Sequence, residues 1–216
     1  GEKILAALNQ PYQLAAVSYH NSSSIGAALF ADHQQSLDEL LKQADIAMYQ
    51  AKKAGRNTLR FFDLQMQVAI NARVELEDAL RKALENRQFH LHYQIQVGKS
   101  GGPLGVEALI RWLHPERGLV SPAQFIPLAE ETGLIIDIGD WVFREAARQA
   151  KRWRDIHHPN FQISVNKSPV QFRNDGGPYR SWFSYLHDLN LEGQGIVIEI
   201  TEGLLMNVEK NVTEKL

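Results

Sequence analysis

The order of apolar and polar residues predicts an α/β segment in the first part of the chain. Residues 2–9 have the pattern of a helix. Two strand-like runs follow at residues 12–19 and 25–30, joined by a polar bend rich in serine. This part therefore combines short strands with helices.

Two longer helices are predicted after these strands. The first begins at Ser36, which forms a capping box with Glu39, and ends at Gly55. Its apolar positions form one stripe, which comprises Leu37, Leu40, Leu41, Ala44, Ala47, Met48 and Ala51. The second helix is predicted over residues 63–87. Because it lies between two differently patterned halves, we interpret it as a connecting helix; the alternative is the first helix of a second domain.

From residue 88 onward, the pattern alternates between strands and helices. Strands are predicted at residues 89–97, 104–112, 161–166 and 195–201. Helices are predicted at residues 122–133, 137–153 and 179–189. This alternation is typical of a parallel α/β architecture.

Each of these four strands has a polar face and an apolar face. On the second strand, Glu107 and Arg111 share one face because side chains alternate along a strand. The polar positions of the other three strands include His90, His92, Gln94, Gln96, Gln162, Ser164, Asn166, Glu199 and Thr201. In a barrel of parallel strands the helices cover the outside, so these polar faces are expected to line the interior and to border an active site.

Composition narrows the chemistry that such a site can perform. The 216 residues are 44% hydrophobic and 22% charged, with a formal net charge of -2, which is ordinary for a soluble globular protein. This charge gives no support for binding a nucleic-acid polymer, and no run of residues predicts a membrane contact or a secretory signal. The chain has no cysteine, which excludes disulfides and thiolate metal sites. A metal would therefore be held by oxygen or imidazole ligands, and oxygen favours magnesium, manganese or calcium.

Glu107, Asn166 and Glu199 are the main candidates for a functional site. A buried carboxylate needs a cation, a metal ion or a proton as partner, and these three residues together provide the oxygen ligands of a hard-cation site. Arg111 lies about 13 Å along the strand from Glu107, where it is suited to hold an anionic group. Two alternatives remain open: Glu107 is solvated or ion-paired, or the two carboxylates are the acid and base of a glycosidase.

A longer series of motifs gives each part of the chain a family resemblance. The second part resembles an EAL domain through Tyr93-Gln94, Glu107-Ala-Leu-Ile-Arg-Trp112, His114-Pro115, Gly118, Ser121-Pro122, Phe125-Ile-Pro127, Ala129-Glu130, Thr132-Gly-Leu134, Asn166, Ser168, Gln171-Phe172 and Glu199-Ile-Thr-Glu202. The first part is similar to the closing third of a GGDEF domain through Ser24-Ile-Gly26, Ala44-Asp45, Ala47-Met-Tyr49, Ala51-Lys52 and Gly55-Arg-Asn57.

The resemblance implies a fold class and a division into domains. Residues 1–62 are expected to form the C-terminal part of a GGDEF-type α/β domain without its signature loop. Residues 63–87 are expected to form the connecting helix, and residues 88–216 the N-terminal half of an EAL domain. Because EAL domains are eight-stranded TIM-like (β/α) barrels, the expected fold is α/β with an incomplete barrel.

The resemblance also implies a cyclic di-GMP phosphodiesterase module of bacterial second-messenger signalling, of the kind that regulates biofilm formation and motility. EAL enzymes hydrolyse cyclic di-GMP to linear pGpG with Mg²⁺ or Mn²⁺. Carried over residue by residue, the implied metal ligands are Glu107, Asn166 and Glu199, the catalytic residues Glu107 and Glu202, and the substrate contacts Gln94, Leu109 and Arg111. Lys52 and Arg56 match positions that contact nucleotide phosphates in GGDEF cyclases.

Departures from the family pattern qualify these expectations. The sequence ends before the family's second set of catalytic residues and lacks the Gly-Gly-Asp-Glu-Phe loop. We therefore expect a fragment or a sequence with residues missing, inactive as an isolated phosphodiesterase and not a diguanylate cyclase. Lys167 stands beside Asn166 where the family usually has an apolar residue, and Ile95 and Gly203 are smaller departures.

Partners and alternatives follow from the same comparison. The alternative function is a degenerate EAL domain that acts as a cyclic di-GMP receptor or as a protein-interaction module. Because four strands leave two open edges, the isolated chain is expected to be unstable, strand-swapped or a homodimer through the EAL-like domain. The expected location is the bacterial cytoplasm, and the pattern is compatible with an upstream sensory or membrane domain in the parent protein.

Overall fold

The computed structural model describes residues 1–15, 17–30, 35–98, 101–172 and 179–200. The chain forms two compact units, Gly1–Glu75 and Leu76–Leu216. In the described ranges the helices are α1 (Glu2–Leu8), α2 (Leu37–Lys53), α3 (Leu64–Ala83), α4 (Pro122–Thr132), α5 (Ile135–Ile156) and α6 (Tyr179–Asp188). The strands are β1 (Tyr12–Leu14), β2 (Val17–Tyr19), β3 (Ile25–Ala27), β4 (Leu59–Phe61), β5 (Phe89–Val97), β6 (Pro103–His114), β7 (Gly118–Val120), β8 (Gln162–Asn166) and β9 (Ile196–Glu199). None of the described helices is long and apolar enough to cross a membrane.

The first unit contains two short sheets and the predicted capped helix. β1 and β2 form an antiparallel pair, whereas β3 and β4 pair in parallel. The expectation of one strand over residues 12–19 was wrong, because a turn at Ala15, with φ of 55°, divides the run into two strands. The capping box is confirmed: the Ser36 hydroxyl accepts a hydrogen bond of 3.2 Å from the backbone N–H of Glu39.

The second unit is built on one sheet with the order β5-β6-β8-β9, and β7 pairs with β6. β6, β8 and β9 run parallel to one another. The expectation of parallel pairing was wrong for β5, which is antiparallel to β6. The physical reason is the connection between them: Val97 ends β5 and Pro103 starts β6, which is too short for the crossover of a dozen or more residues that parallel strands need.

The apolar face of this sheet packs against helices α3, α4 and α5. Trp112 and Phe125 are fully buried at the centre, and Phe89 lies against both rings with centroid distances of 6.0 and 5.9 Å. Leu80 and Ala83, in the second half of α3, belong to this core. These contacts place the apolar strand faces under the helices, as the alternation of residues predicted, and leave the polar faces on the other side.

The sheet curves around its polar face. A side-chain hydrogen bond of 3.1 Å joins Gln96 on β5 to Glu199 on β9. In a flat sheet these two strands would be separated by three spacings, about 14 Å, which two such side chains do not span. The polar face is therefore concave, as in the wall of a barrel. Among the described strands β5 and β9 are the ends of the order, so the sheet is not closed.

Candidate functional site

Residues from four strands meet on the concave polar face. Glu107 of β6 lies opposite Gln94 of β5 on one side and Ser164 of β8 on the other. Asn166, at the end of β8, lies opposite Glu199 at the end of β9. Because β6, β8 and β9 are parallel, their carboxyl ends lie at one edge of the sheet, which is where barrel enzymes place their active sites.

Glu107 and Asn166 are in direct contact. The side-chain amide Nδ2 of Asn166 donates a hydrogen bond of 2.6 Å to Oε1 of Glu107. This bond turns the amide nitrogen toward the carboxylate, so the amide oxygen Oδ1 of Asn166 and the second carboxylate oxygen of Glu107 lie outside the hydrogen bond. Two of the three predicted ligands are thus brought together by the structure.

Glu199 is held by a residue that sequence reasoning did not select as a site residue. Gln96 Nε2 donates the 3.1 Å hydrogen bond to Glu199 Oε1, and Ser164 Oγ donates to Gln96 Oε1 at 3.4 Å. The available signal was the alternation along β5, which assigns Gln96 to the polar face. Alternation alone does not show that this residue reaches a strand three positions away in the sheet.

The predicted substrate contacts are distributed along the same face. Gln94 is exposed and Leu109 is half-buried. Arg111 lies opposite His90, and its Nη1 donates a hydrogen bond of 2.8 Å to the carbonyl oxygen of Ile110. In this structure the guanidinium group of Arg111 is therefore bonded to the neighbouring backbone carbonyl. Glu202 lies outside the described residues.

Lys167 occupies the opposite side of the strand end from Asn166. Its side chain is buried, with Nζ at 4.4 Å from the ring centroid of Phe172 and 4.5 Å from that of Trp182. Burial removes water from the ammonium group and lowers its pKa from 10.5 to about 7. The backbone N–H of Lys167 donates to the carbonyl oxygen of Glu199 at 2.9 Å, so this residue joins the ends of β8 and β9.

The burial of Lys167 predicts a pH dependence of folding stability. Between about pH 7 and pH 10 the unfolded chain binds a proton at this residue that the folded protein does not bind. The free energy of unfolding is therefore expected to rise with pH in this window, by up to about 1.4 kcal/mol per pH unit. Urea titrations of the metal-free chain at several pH values measure this slope.

Two variants test the assignment of this slope to Lys167. Lys167→Met is expected to flatten it, because the methionine side chain does not titrate. Lys82→Met, at an exposed position of α3, is the matched control and is expected to keep the slope. An unchanged slope in Lys167→Met would contradict the assignment.

The segment that follows Lys167 is held by a hydrogen bond to α4, by a hydrogen bond within itself and by close packing on α5. Ser168 Oγ donates a hydrogen bond of 2.7 Å to Glu130 of α4, and the backbone N–H of Ser168 donates to Gln171 Oε1 at 3.0 Å. Gln171 is itself buried against Gly139 of α5, where an added Cβ would lie 2.1 Å from its Nε2. The chain just beyond Asn166 therefore has a defined course.

Family models match both parts of this chain. The EAL domain model covers residues 77–216, and the model of the diguanylate cyclase GGDEF domain covers residues 1–58. The chain belongs to the EAL domain family. The EAL match begins within α3, so the second half of that helix is part of the EAL region as well as of its core.

Curated relatives match this chain over most of its length. The chain is 44% identical over 206 residues to the bifunctional diguanylate cyclase/cyclic di-GMP phosphodiesterase MucR of Pseudomonas aeruginosa, covering 95% of this chain and 30% of MucR. It is 37% identical to the cyclic di-GMP phosphodiesterase PdeR of Escherichia coli, covering 94% of this chain and 31% of PdeR. The chain thus spans about a third of the length of these relatives.

Solved EAL structures have the same fold. The phosphodiesterase of MucR in complex with c-di-GMP matches with a TM-score of 0.58 and 46% identity, covering 62% of this chain and 54% of that chain. The EAL enzyme Bd1971 in its cGMP-bound form matches with a TM-score of 0.61 and 25% identity, covering 84% of this chain and 47% of that chain. The expected TIM-like fold is confirmed, as an incomplete barrel.

The polar residues of this EAL domain fit a hard divalent cation. Across the residues that the structure describes, no three carboxylate or imidazole side chains gather as a ready metal site. The available set is two carboxylates and one amide, Glu107, Glu199 and Asn166, which are oxygen ligands of the kind that Mg²⁺ and Mn²⁺ take. The hydrogen bonds from Asn166 and Gln96 engage one oxygen of each carboxylate and leave the other outside the bond.

A cavity of about 390 Å³ adjoins this edge of the EAL sheet. Arg111, Asn166 and Lys167 line it together with apolar side chains of α4 and α5, among them Phe125 and Ile138. Glu130 and Gln171 also line it, so a mainly apolar wall carries a few polar and charged groups, which is the usual make-up of a ligand pocket.

The two cationic residues predicted in the GGDEF part lie close together in the first unit. Lys52 is in the last turn of α2, and Arg56 follows Gly55 with a φ of 62°. Both side chains are exposed. Cations at a helix C-terminus interact favourably with the helix dipole. The positive charges here therefore have a structural explanation in addition to the predicted contact with phosphate.

Proposed function

We propose that this EAL domain hydrolyses cyclic di-GMP to linear pGpG with Mg²⁺ or Mn²⁺. The observation that carries the proposal is the hydrogen bond from Asn166 to Glu107 on the polar face of the parallel strands β6 and β8, with Glu199 of β9 next to Asn166 in the strand register. Two acidic side chains on one polar face favour a site that holds positive charge.

Each residue of the site has a role in this proposal. Glu107, Asn166 and Glu199 hold the cation through side-chain oxygens. The bound cation supplies the positive charge that activates water and stabilises the phosphoryl oxygens. Arg111 leaves the carbonyl oxygen of Ile110 and binds a phosphate of the substrate through its planar guanidinium group.

Three residues complete the proposed contacts. Gln94 and Leu109 flank Glu107 on the polar face and contact the substrate, and Glu202 supports a loop at the site. In the GGDEF part, Lys52 and Arg56 contact nucleotide phosphate. The proposal includes a homodimer formed through the EAL domain, because β9 is an end strand among the strands that the structure describes, and its Val197 and Ile198 are each 37% exposed.

The relatives support the substrate. MucR and PdeR are both named as cyclic di-GMP phosphodiesterases, and the solved MucR phosphodiesterase is a complex with c-di-GMP. Since this chain spans about a third of the curated relatives, the activity of a whole protein that contains it is part of the proposal.

The test is a turnover assay with cyclic di-GMP. The 216-residue chain, and any longer protein that contains it, are incubated with the dinucleotide and Mg²⁺ or Mn²⁺, and pGpG is separated by chromatography. Metal-dependent formation of pGpG in the longer protein is expected, with little or none from the isolated chain. Binding without product in both would instead support the receptor function, and neither binding nor product would overturn the proposal.

A further inference from the structure

Gln96 has the geometry of a residue that positions a metal ligand. It is on the polar face of β5, opposite Gly105 of β6. Gly105 has no side chain, and a Cβ there would lie 2.5 Å from the carbonyl oxygen of Gln162 on β8. The close approach of β6 and β8 therefore requires glycine at position 105. Because Gly105 has no side chain, it does not block the Gln96 side chain from extending across the concave face.

Both ends of the Gln96 amide are engaged on the far side of that face. Its nitrogen donates to Glu199 Oε1 at 3.1 Å, and its oxygen accepts from Ser164 Oγ at 3.4 Å. Ser164 is buried, with 4% of its surface exposed, and it lies opposite Glu107 in the ladder. The Glu199 carboxylate only accepts hydrogen bonds, so it takes the amide nitrogen, and the amide oxygen is left to accept the proton of the serine hydroxyl.

We propose that Gln96 is a positioning residue that orients the Glu199 carboxylate for the divalent cation. This inference rests on the proposed function and extends it to a residue outside the ligand set. A hydrogen bond to one carboxylate oxygen restricts the rotation of the group and leaves the second oxygen directed to the cation. Partners of this kind to metal ligands change metal affinity or activity by about 10- to 100-fold when they are removed.

A similar hydrogen bond from an amide to a carboxylate joins β8 and β6. Asn166 donates to one oxygen of Glu107 as Gln96 donates to one oxygen of Glu199. Each carboxylate of the site thus accepts a hydrogen bond from a primary amide on another strand. The two amides differ in that Asn166 lies at the strand end among the proposed ligands, whereas Gln96 acts through Glu199.

The experiment compares Mn²⁺ binding and pGpG formation in one longer protein that contains this chain. Gln96→Met keeps the length of the side chain and removes its donor, and Ser164→Ala removes only the hydroxyl that donates to the amide oxygen. Gln124→Met, at an exposed position of α4, is the matched control. Free Mn²⁺ is measured by electron paramagnetic resonance, and thermal unfolding is recorded for every variant.

Gln96→Met is expected to weaken Mn²⁺ binding by about 10-fold or more, and to raise the Mn²⁺ concentration needed for half-maximal turnover by a similar factor. Ser164→Ala is expected to give a smaller change of the same sign, and Gln124→Met none. The melting temperature is expected to stay near that of the unmodified protein. An unchanged Mn²⁺ affinity in Gln96→Met, beside normal turnover in the unmodified protein, would overturn the positioning role alone. Absence of both Mn²⁺ binding and pGpG in the unmodified protein would overturn the proposed function and this inference together.

Discussion

Replacing Glu107 with glutamine is expected to lower the turnover of cyclic di-GMP by about 100-fold or more. The change keeps the shape of the side chain and removes its negative charge, so the site loses one of its two charged ligands. Charge stabilisation by a bound metal is worth several kcal/mol, and about 1.4 kcal/mol corresponds to a tenfold change in rate. The measurement is the rate of pGpG formation at saturating substrate over a range of Mn²⁺ concentrations.

Glu85→Gln is the matched control for this variant. Glu85 is exposed in the turn just after α3, and its neutralisation changes the net charge of the protein by the same amount without touching the polar face of the sheet. Turnover that stayed the same in Glu107→Gln would mean that the metal ligands are elsewhere. A loss of turnover accompanied by an equal loss in Glu85→Gln would assign the effect to net charge.

The proposed ligands could be selected from the sequence because alternation along a strand is a local property. Glu107, Asn166 and Glu199 follow from the parity of their own strands, and the structure joins the first two by a hydrogen bond. Gln96 has the same parity but could not be selected, since its contact with Glu199 depends on the curvature of the sheet across three strands. Curvature is set by the packing of the whole sheet.

The fold was predictable where helices and strands carry clear end signals. Ser36 and Gly133 mark the start of α2 and the end of α4, as capping rules predict. Alternation along β5 is the same in parallel and antiparallel pairs, so it did not give the direction of this strand; the deciding feature is the short connection from Val97 to Pro103. The contacts of Lys167 with aromatic rings could not be predicted from the pattern of its own strand, because Phe172 and Trp182 come from a later turn and a later helix.

Gly26→Ala is expected to unfold the first unit and to leave the EAL core folded. In the structure α2 crosses β3 so closely that an added Cβ on Gly26 would lie 2.0 Å from the carbonyl oxygen of Ala44 and 2.2 Å from the backbone nitrogen of Met48. These atoms belong to the helix backbone, so the conflict is relieved only by moving α2 away from the strand. Overpacking of this kind costs about 3 kcal/mol, a large part of the stability of a small domain.

Hydrogen exchange separates the two units in this experiment. Faster exchange is expected throughout α2, whose buried side chains Ala47 and Ala51 lose their contacts when the helix moves, and unchanged protection is expected in α5 of the EAL core. Gly102→Ala is the control, because a Cβ at that position meets nothing within 4 Å. Unchanged protection of α2 in Gly26→Ala would mean that helix and strand are further apart than the structure has them. Equal loss of protection in α2 and α5 would instead show that the GGDEF and EAL parts unfold as one cooperative body.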